Sequence, residues 1–284
     1  MLVKLKKEEM NQYIDFAYTI SLDLSKSCYP TYADGIKTKE DFIDVARSSF
    51  DKVNNEILLF YYKDLLAGWI HYYFIPEDNY FTCESFAVSH HMDVALEELL
   101  ALVKNQFKGY DFYFGCSIKN IEAIHFLKSN SFEKIEESSV CLFHFDEYQI
   151  QEESSLIKRI TKDNFSDFEQ LHHPFDEEMY WDCKHIYEDI DHWYIYVLYL
   201  DDKPMAAIYF VCCKMLLEIF GVDFKNKTFD SYYFELLMKK VLNEGKKLGV
   251  KPIYYFAEKK EITALERLGY QHFDDYVCYS KTME

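Results

Sequence analysis

The sequence predicts a mixed α/β fold built twice in tandem, and two observations carry that reading. The first is ordered self-similarity. KLKKEEMNQY, read from Lys4, falls in step with RITKDNFSDF, read from Arg159, so that Lys7 meets Lys162, Glu8 meets Asp163, Met10 meets Phe165 and Tyr13 meets Phe168. FYYKDLLAGWIHYYF, from Phe60, then aligns with YLDDKPMAAIYFVC, from Tyr199, and CESFAV, ending at Val88, with LEIFGV, ending at Val222. Repetition in one order over half a chain indicates a duplicated folding unit, and the period is too long for a solenoid. The second observation is periodicity, which switches between the helical and the extended pattern in the same succession in both halves. The 284 residues divide into two domains at 1–146 and 156–284, each long enough to bury a sizeable core. Residues 147–155, within the acidic, serine-bearing run Asp146–Ser155, form the expected linker.

The first copy opens with a helix, because Met10, Tyr13, Ile14, Ala17 and Tyr18 make one apolar stripe. Tyr29-Pro30 and Asp34-Gly35 are turn signals. A second helix is expected over Lys39–Phe50 with Thr38 as N-cap. Three strands follow at Glu56–Tyr62, Ala67–Ile75 and Phe81–Val88, then a helix with the stripe Leu96, Leu99, Leu100, Val103 and Phe107. Asp111–Cys116 reads as a buried strand, Asn120–Ser129 as a helix and Phe132–Phe145 as one or two closing strands.

The second copy repeats this order. Helices are expected near Lys162–His172 and Glu177–Asp189, and strands at Trp193–Leu200, Met205–Cys212 and Leu216–Val222. A helix over Asp230–Leu248 ends at Gly249; a strand at Pro252–Ala257, a helix at Lys259–Leu268 and a strand pair at Tyr270–Lys281 complete it. Strands joined by short turns pair antiparallel, whereas the helix after the third strand is a crossover that makes a parallel pair.

Composition bounds the function. Net charge is −18, from 49 acidic against 31 basic residues, a field that repels a phosphate backbone and excludes nucleic acid as an expected partner. It attracts a small cationic ligand. The eight cysteines show no CxxC pair, and several sit in apolar strands where a reduced, buried thiol is the ordinary outcome. The start, MLVKLKKEEM, has no apolar signal core, and the longest apolar run, Met205–Cys213, stops at Lys214. That is short of the ~18 residues needed to span a bilayer. The expectation is a cytoplasmic protein with no membrane partner.

The order of elements, with Leu217-Glu218-Ile219-Phe220-Gly221-Val222 before a polar loop and a long helix, resembles the GNAT superfamily of acyl-CoA N-acyltransferases. Asn120-x-x-Ala123-x-x-Phe126, ending in Ser131-Phe132, is similar to that family's Asn-x-x-Ala-x-x-Phe-Tyr signature, and Leu268-Gly269-Tyr270 keeps its ending. The resemblance implies two tandem GNAT-like domains and acetyl-CoA, or another acyl-CoA, as co-substrate. In that family two parallel strands splay apart and the pantetheine arm slots between them, held by backbone N–H groups of the fourth strand. A glycine-rich loop at a helix N-terminus holds the pyrophosphate. The resemblance therefore places Gly221 and Val222 on the arm, Lys225, Lys227 and Thr228 near the phosphates, and Asn120 on a pantetheine amide; a helix N-cap is the equal alternative for Asn120. The sequence departs from the pattern in two places. Neither Asp223–Ser231 nor Ser89–Asp93 contains glycine, and the usual acid tyrosine is replaced by Leu127 and Leu265.

Glu84 and Glu218 each put a carboxylate in an apolar strand, four residues before Val88 and Val222. Desolvation suits such a group to act as a general base; pairing with a lysine is the alternative. His172-His173, His185 and His192 lie among Asp176, Glu177, Glu178, Asp182, Asp189 and Asp191, but their spacing matches no familiar metal pattern and no metal is expected. An amine ligand accounts for that acidic segment, as does a solvated helical face. The resulting expectation is acyl transfer from acyl-CoA to a small amine, with the second copy catalytic and the first not. The rival is a non-catalytic binding or scaffold protein that lost its phosphate loops. Amino-acid transfer from charged tRNA is a weaker third reading, which the net charge opposes.

Overall fold

The structure, a computed structural model, describes residues 1–29, 31–33, 36–176 and 180–284. Pro30, Asp34 and Gly35 of the expected turns, and Glu177 and Glu178 of the acidic segment, lie outside the described residues. The first copy holds β1 (Leu2–Lys4), α1 (Ile14–Ser21), α2 (Lys39–Ser49), β2 (Asn55–Tyr62), β3 (Leu65–Ile75), β4 (Tyr80–Val88), α3 (Met92–Gln106), β5 (Asp111–Ser117), α4 (Ile121–Ser129) and β6 (Glu133–His144). The second holds β7 (Ile157–Arg159), α5 (Phe165–His172), α6 (Cys183–Glu188), β8 (Trp193–Leu200), β9 (Lys203–Cys213), β10 (Leu216–Phe224), α7 (Ser231–Leu248), β11 (Pro252–Ala257), α8 (Ile262–Arg267) and β12 (Gln271–Thr282). No described helix is long and apolar enough to cross a membrane.

Local chemistry explains these elements. Met10, Ile14 and Ala17 are buried, as the stripe requires, although the segment starts as a 3-10 turn at Lys7–Gln12 before α1. Thr38 caps α2 in a reciprocal box with Asp41. The repeat extends to turn and bulge. Lys63-Asp64 and Asp201-Asp202 all have positive φ, as two-residue hairpins with a type I′ turn require. Each hairpin carries a register shift beside its turn, at Phe60/Tyr61 and at Leu198/Tyr199. Gly249, at φ 72°, ends α7 in the left-handed conformation open to glycine.

Three features differ from the expected elements. Each copy starts with a three-residue edge strand, β1 or β7, too short for alternation to reveal. The second closing segment is one twelve-residue strand and not the expected pair, while the first takes the single-strand form of its two alternatives. Among the described residues, the second helix of the second copy is confined to Cys183–Glu188, because the Asp182 side chain caps its start by accepting from the His185 N–H.

The chain divides into two compact units, but not at 146 and 156. Unit 1 comprises Met1–Ser138 with Asp274–Glu284, and unit 2 comprises Ser139–Phe273. In unit 1, β5 pairs antiparallel with β12 from Tyr276↔Ser117 to Thr282↔Asp111. In unit 2, β11 pairs antiparallel with β6 from Ser139↔Ala257 to His144↔Pro252. The two copies thus exchange the ends of their closing strands. Val277 and Tyr279 join the core of unit 1, while Cys141 and Phe143 join that of unit 2. Period-2 alternation states which side chains are buried and leaves open which sheet buries them.

Each unit has a core on both faces of its sheet. In unit 1, Leu58, Phe60 and Ile70 meet α3 and α4, while Ile57, Leu59 and Trp69 meet α1 and α2. In unit 2, Leu217 and Ile219 meet α7 and α8, while Trp193, Ile195 and Tyr209 meet α5 and α6.

The expected linker is strapped to α7. Buried Asn243 accepts from the Tyr148 hydroxyl (2.8 Å) and the Gln151 N–H (3.0 Å) and donates to the Gln151 carbonyl (2.9 Å). Glu153 pairs with Lys240 and Lys247. Asn243→Ala is expected to destabilise unit 2 by about 2–3 kcal/mol, because three bonds are lost and buried groups of the strap are left unpaired. Urea unfolding measures this, and a change under 0.5 kcal/mol (roughly that of an ordinary surface substitution) would show that the strap is not held by Asn243.

Candidate active site

In each unit the parallel pair comes apart. In unit 1, β4 and β5 pair only from Tyr80↔Asp111 to Thr82↔Tyr113, although β4 continues to Val88 and β5 to Ser117. In unit 2, β10 and β11 pair only from Leu217↔Ile253 to Ile219↔Tyr255, although β10 continues to Phe224. A bulge against the antiparallel neighbour turns each strand away. The extra residue is Glu84 in β4, between Cys83 and Ser85, and Phe220 in β10, between Ile219 and Gly221. The result is a cleft beyond the last rung, with α3 or α7 starting soon after its outer strand.

The two clefts have different contents. In unit 1 the chain itself enters. The Cys28 N–H donates to the Phe86 carbonyl (2.9 Å), the Val88 N–H to the Lys26 carbonyl (3.0 Å), and the Tyr29 N–H to the Gly115 carbonyl on the β5 side (3.1 Å). The Phe86 N–H donates to the Cys28 sulfur at 3.0 Å. Lys26–Tyr29 therefore uses the backbone groups that the parting of β4 from β5 exposes. In unit 2, among the described residues, no backbone segment from outside the sheet bonds to Phe220–Phe224. Phe220 is exposed, and Gly221 and Val222 are half-buried.

The helix starts differ in the opposite sense. α3 follows His91, at φ 60°, without a side-chain cap. A small pocket of about 170 Å³ at this end is lined by Lys26, Ser89, His90 and Lys119, among others. α7 is capped by Asp230, whose carboxylate accepts from the Tyr232 and Tyr233 N–H groups at 2.9 and 3.0 Å.

Glu218 stands on the last stretch of paired strand, opposite Val211 and Tyr254, on the face covered by α5 and α6. Glu84 does not occupy the same station: bulge residue matches bulge residue, so its counterpart is Phe220, and strand end Val88 matches Phe224. The apparent match of Val88 with Val222 is two residues out of register, because the turn before β4 is two residues longer than the turn before β10. Gly221 has a packing reason, since a Cβ there would lie 2.7 Å from Tyr209 Cζ. Lys225, Lys227 and Thr228 are exposed on the loop after β10. The Lys227 ammonium lies 4.3 Å from the centre of the Phe175 ring, and the Thr228 hydroxyl donates to the Asn226 carbonyl (3.2 Å).

Asn120 is fully buried and committed. It caps α4 by accepting from the Ala123 N–H (3.2 Å) and donates to the Ser27 carbonyl (3.0 Å) of the inserted segment. Its structural counterpart is Glu261, the residue before α8. Helix α8 is three residues shorter than α4, so counting back from Leu268-Gly269-Tyr270 overshoots. The pairing of Asn120-Ile121-x-Ala123 with Glu261-Ile262-x-Ala264 was the available signal. Glu261 is buried, and its Oε2 accepts from the Tyr255 hydroxyl and the Glu258 N–H, both at 2.8 Å. Burial raises its pKa to about 7 against the lowering effect of those bonds.

The sequence places His172 among nearby acids but does not show its pairing with Asp223. His172, on α5, is fully buried. Its Nδ1 lies 2.7 Å from Asp223 Oδ2 and its Nε2 lies 2.8 Å from the Trp181 carbonyl. Burial works to lower its pKa, but the bond and charge of Asp223 outweigh burial and raise it. With acceptors at both nitrogens, the ring carries two protons when Asp223 is ionised. The pair anchors Trp181 and the end of α5 beside Val222. The other histidines of the segment also find acids: His173 with Asp176, His185 with Asp182 and His192 with Asp189.

No protein-family model matches the sequence, and a comparison with curated proteins finds no match. Solved structures do match over the whole chain. A GCN5-related N-acetyltransferase from Sphaerobacter thermophilus superposes with a TM-score of 0.65 at 9% identity, covering 100% of this chain and 96% of its own. A tandem GNAT protein from the clavulanic acid biosynthesis pathway gives 0.61 at 9% identity, covering 100% and 98%. The chain carries the GNAT fold, in tandem. A putative acetyltransferase from Pyrococcus horikoshii (TM-score 0.56, 9% identity, 100% and 89% covered) agrees with this. In GNAT terms the parted strands are the fourth and fifth of each copy, and α3 and α7 are the helices between them. The two units differ in opposite places, the strand cleft being filled in unit 1 and the helix start capped in unit 2.

Proposed function

We propose that unit 2 transfers an acyl group from acyl-CoA to a small amine and that unit 1 is its non-catalytic companion. The observation that carries this reading is the contrast between the β10–β11 cleft, which no described backbone segment enters, and the β4–β5 cleft, which Lys26–Tyr29 enters. An acyl-CoA fits unit 2 unevenly. The arm would run along Gly221 and Val222. Because Asp230 holds the N–H groups at the start of α7, the diphosphate must be met by Lys225 and Lys227, with Thr228 beside them. The bound thioester supplies the activated acyl carbon. Glu218, on the α5–α6 face, takes a proton from the incoming ammonium. Glu261, neutral below about pH 7, holds a proton at its carboxyl, the role left open by leucines at 127 and 265. Asn120 and Glu84 belong to unit 1, and we assign them no part in the transfer. Eight free cysteines support a reducing compartment, the cytoplasm.

Isothermal titration with acetyl-CoA, followed by transfer assays on a panel of amines, tests the reading. Charge-assisted phosphate contacts are worth roughly 1.5–3 kcal/mol each, so Lys225→Ala with Lys227→Ala is expected to weaken binding at least about tenfold and flatten its salt dependence. Unchanged affinity would move the diphosphate elsewhere. The capping carboxylate of Asp230 favours a second reading, a non-catalytic binding or scaffold protein. No acetyl-CoA binding by the unaltered chain would establish that reading over the first.

A further inference from the structure

We propose that unit 2 binds a zinc-type divalent cation on His173, Asp176 and Cys183. The spacing, His-x-x-Asp followed by Cys seven residues later, resembles no zinc pattern, yet the fold gathers the three groups. Beyond α5 the chain makes one 3-10 turn, His173–Phe175, which carries Asp176 against Cys183, the first residue of α6. Asp176 Oδ1 accepts from the Cys183 N–H at 2.9 Å, and Asp176 Oδ2 lies 2.6 Å from His173 Nδ1. One ligand atom from each residue lies within 4.8 Å of the other two. All three line a pocket of about 570 Å³, with Asp163, Glu169 and Asp182 also in its wall.

The donor set selects the ion. One thiolate, one imidazole and one carboxylate suit zinc or cobalt, whereas calcium and magnesium require oxygen ligands throughout. Tetrahedral bonds of about 2.0–2.3 Å put ligand atoms roughly 3.3–3.8 Å apart. No pair of ligand atoms stands beyond 4.8 Å, so none needs to close by more than about 1–1.5 Å. The 2.6 Å between His173 Nδ1 and Asp176 Oδ2 must open, and rotation of the exposed His173 side chain supplies this adjustment. Three protein ligands leave the fourth position toward the pocket. Asp182 is engaged by His185, through its N–H and its Nδ1, both at 2.8 Å, so water or Glu169 takes that position.

Binding balances in protons. Without a cation, burial and the neighbouring Asp176 keep the Cys183 thiol protonated. On binding, the Cys183 S–H bond breaks, a metal–sulfur bond forms and the proton leaves to solvent; neutral His173 contributes a ring lone pair and Asp176 an oxygen. Affinity must therefore rise with pH. The cation would tie the turn after α5 to the start of α6, whatever reaction unit 2 performs.

The test is Co²⁺ titration of the metal-stripped, full-length chain. The expected result is one equivalent bound, with a thiolate-to-cobalt charge-transfer band and the intense visible bands of four-coordinate cobalt, all removed by Zn²⁺. Cys183→Ser should abolish the charge-transfer band, while Cys213→Ser, at an exposed thiol, should leave it unchanged. His173 is exposed, so His173→Gln should fold normally and bind at least about tenfold more weakly. That arm decides the matter if Cys183→Ser does not fold. Absence of stoichiometric binding, a charge-transfer band surviving in Cys183→Ser, or unaltered affinity in His173→Gln would each overturn the site.

Discussion

Glu261→Gln is expected to remove a pH dependence from both stability and turnover. In the folded chain the Glu261 carboxyl titrates near pH 7, raised by burial from an ordinary 4.5. Between those values the folded state keeps a proton that the unfolded state has lost. Stability is therefore greatest below about pH 4.5, declines as pH rises through this window, and levels off above about pH 7, a swing of about 3 kcal/mol. Glutamine does not ionise, so the variant should lack this decline. If Glu261 gives its proton to the leaving sulfur, kcat of the unaltered chain falls as pH climbs past about 7. Glutamine should then lower kcat by about 10²–10⁴. Urea midpoints at pH 5 and pH 8, with kcat across the same range, measure both effects. A stability profile shared by both proteins would show that Glu261 is not buried as described. A normal kcat in the variant would remove it from the transfer.

Asp223→Ala is expected to destabilise unit 2 by about 3–5 kcal/mol, since it strands a buried His172 whose two nitrogens both faced acceptors. Replacing both partners by apolar residues of similar volume, His172→Phe with Asp223→Leu, should restore much of the loss, because no uncompensated charge remains. Thermal unfolding of the single and double variants measures this. Equal losses in the two would mean that packing, and not the charge pair, holds α5 to β10. Loss of acyl transfer in a stable double variant would show that the pair positions Trp181 and the cleft beside Val222.

Much of this molecule was legible in its residues. The order of helices and strands is a consequence of periodicity and turn chemistry, which act over a few residues. Thr38 capping α2, the paired turns at 63–64 and 201–202, and Gly249 ending α7 all act at that range. The candidate site was legible in part. Val222 lies on β10, and Lys225 and Lys227 in the turn after it, as the local pattern of the chain indicates. Glu261 was hidden because a three-residue difference in helix length displaces any count made from the far end. Glu84 was set beside Glu218 because a turn-length difference shifts the strands by two residues.

Sequence alone determined the duplication, the strand and helix order, and the absence of glycine from Ser89–Asp93 and Asp223–Ser231, since each depends on residues near one another in the chain. Tertiary structure decided which sheet receives each closing strand, which cleft Lys26–Tyr29 enters, and that His172 meets Asp223. Those outcomes follow from pairings between residues tens to more than a hundred positions apart. Local alternation is equally satisfied by several such pairings, and only the packing of whole cores and the need to bond every buried backbone group select among them.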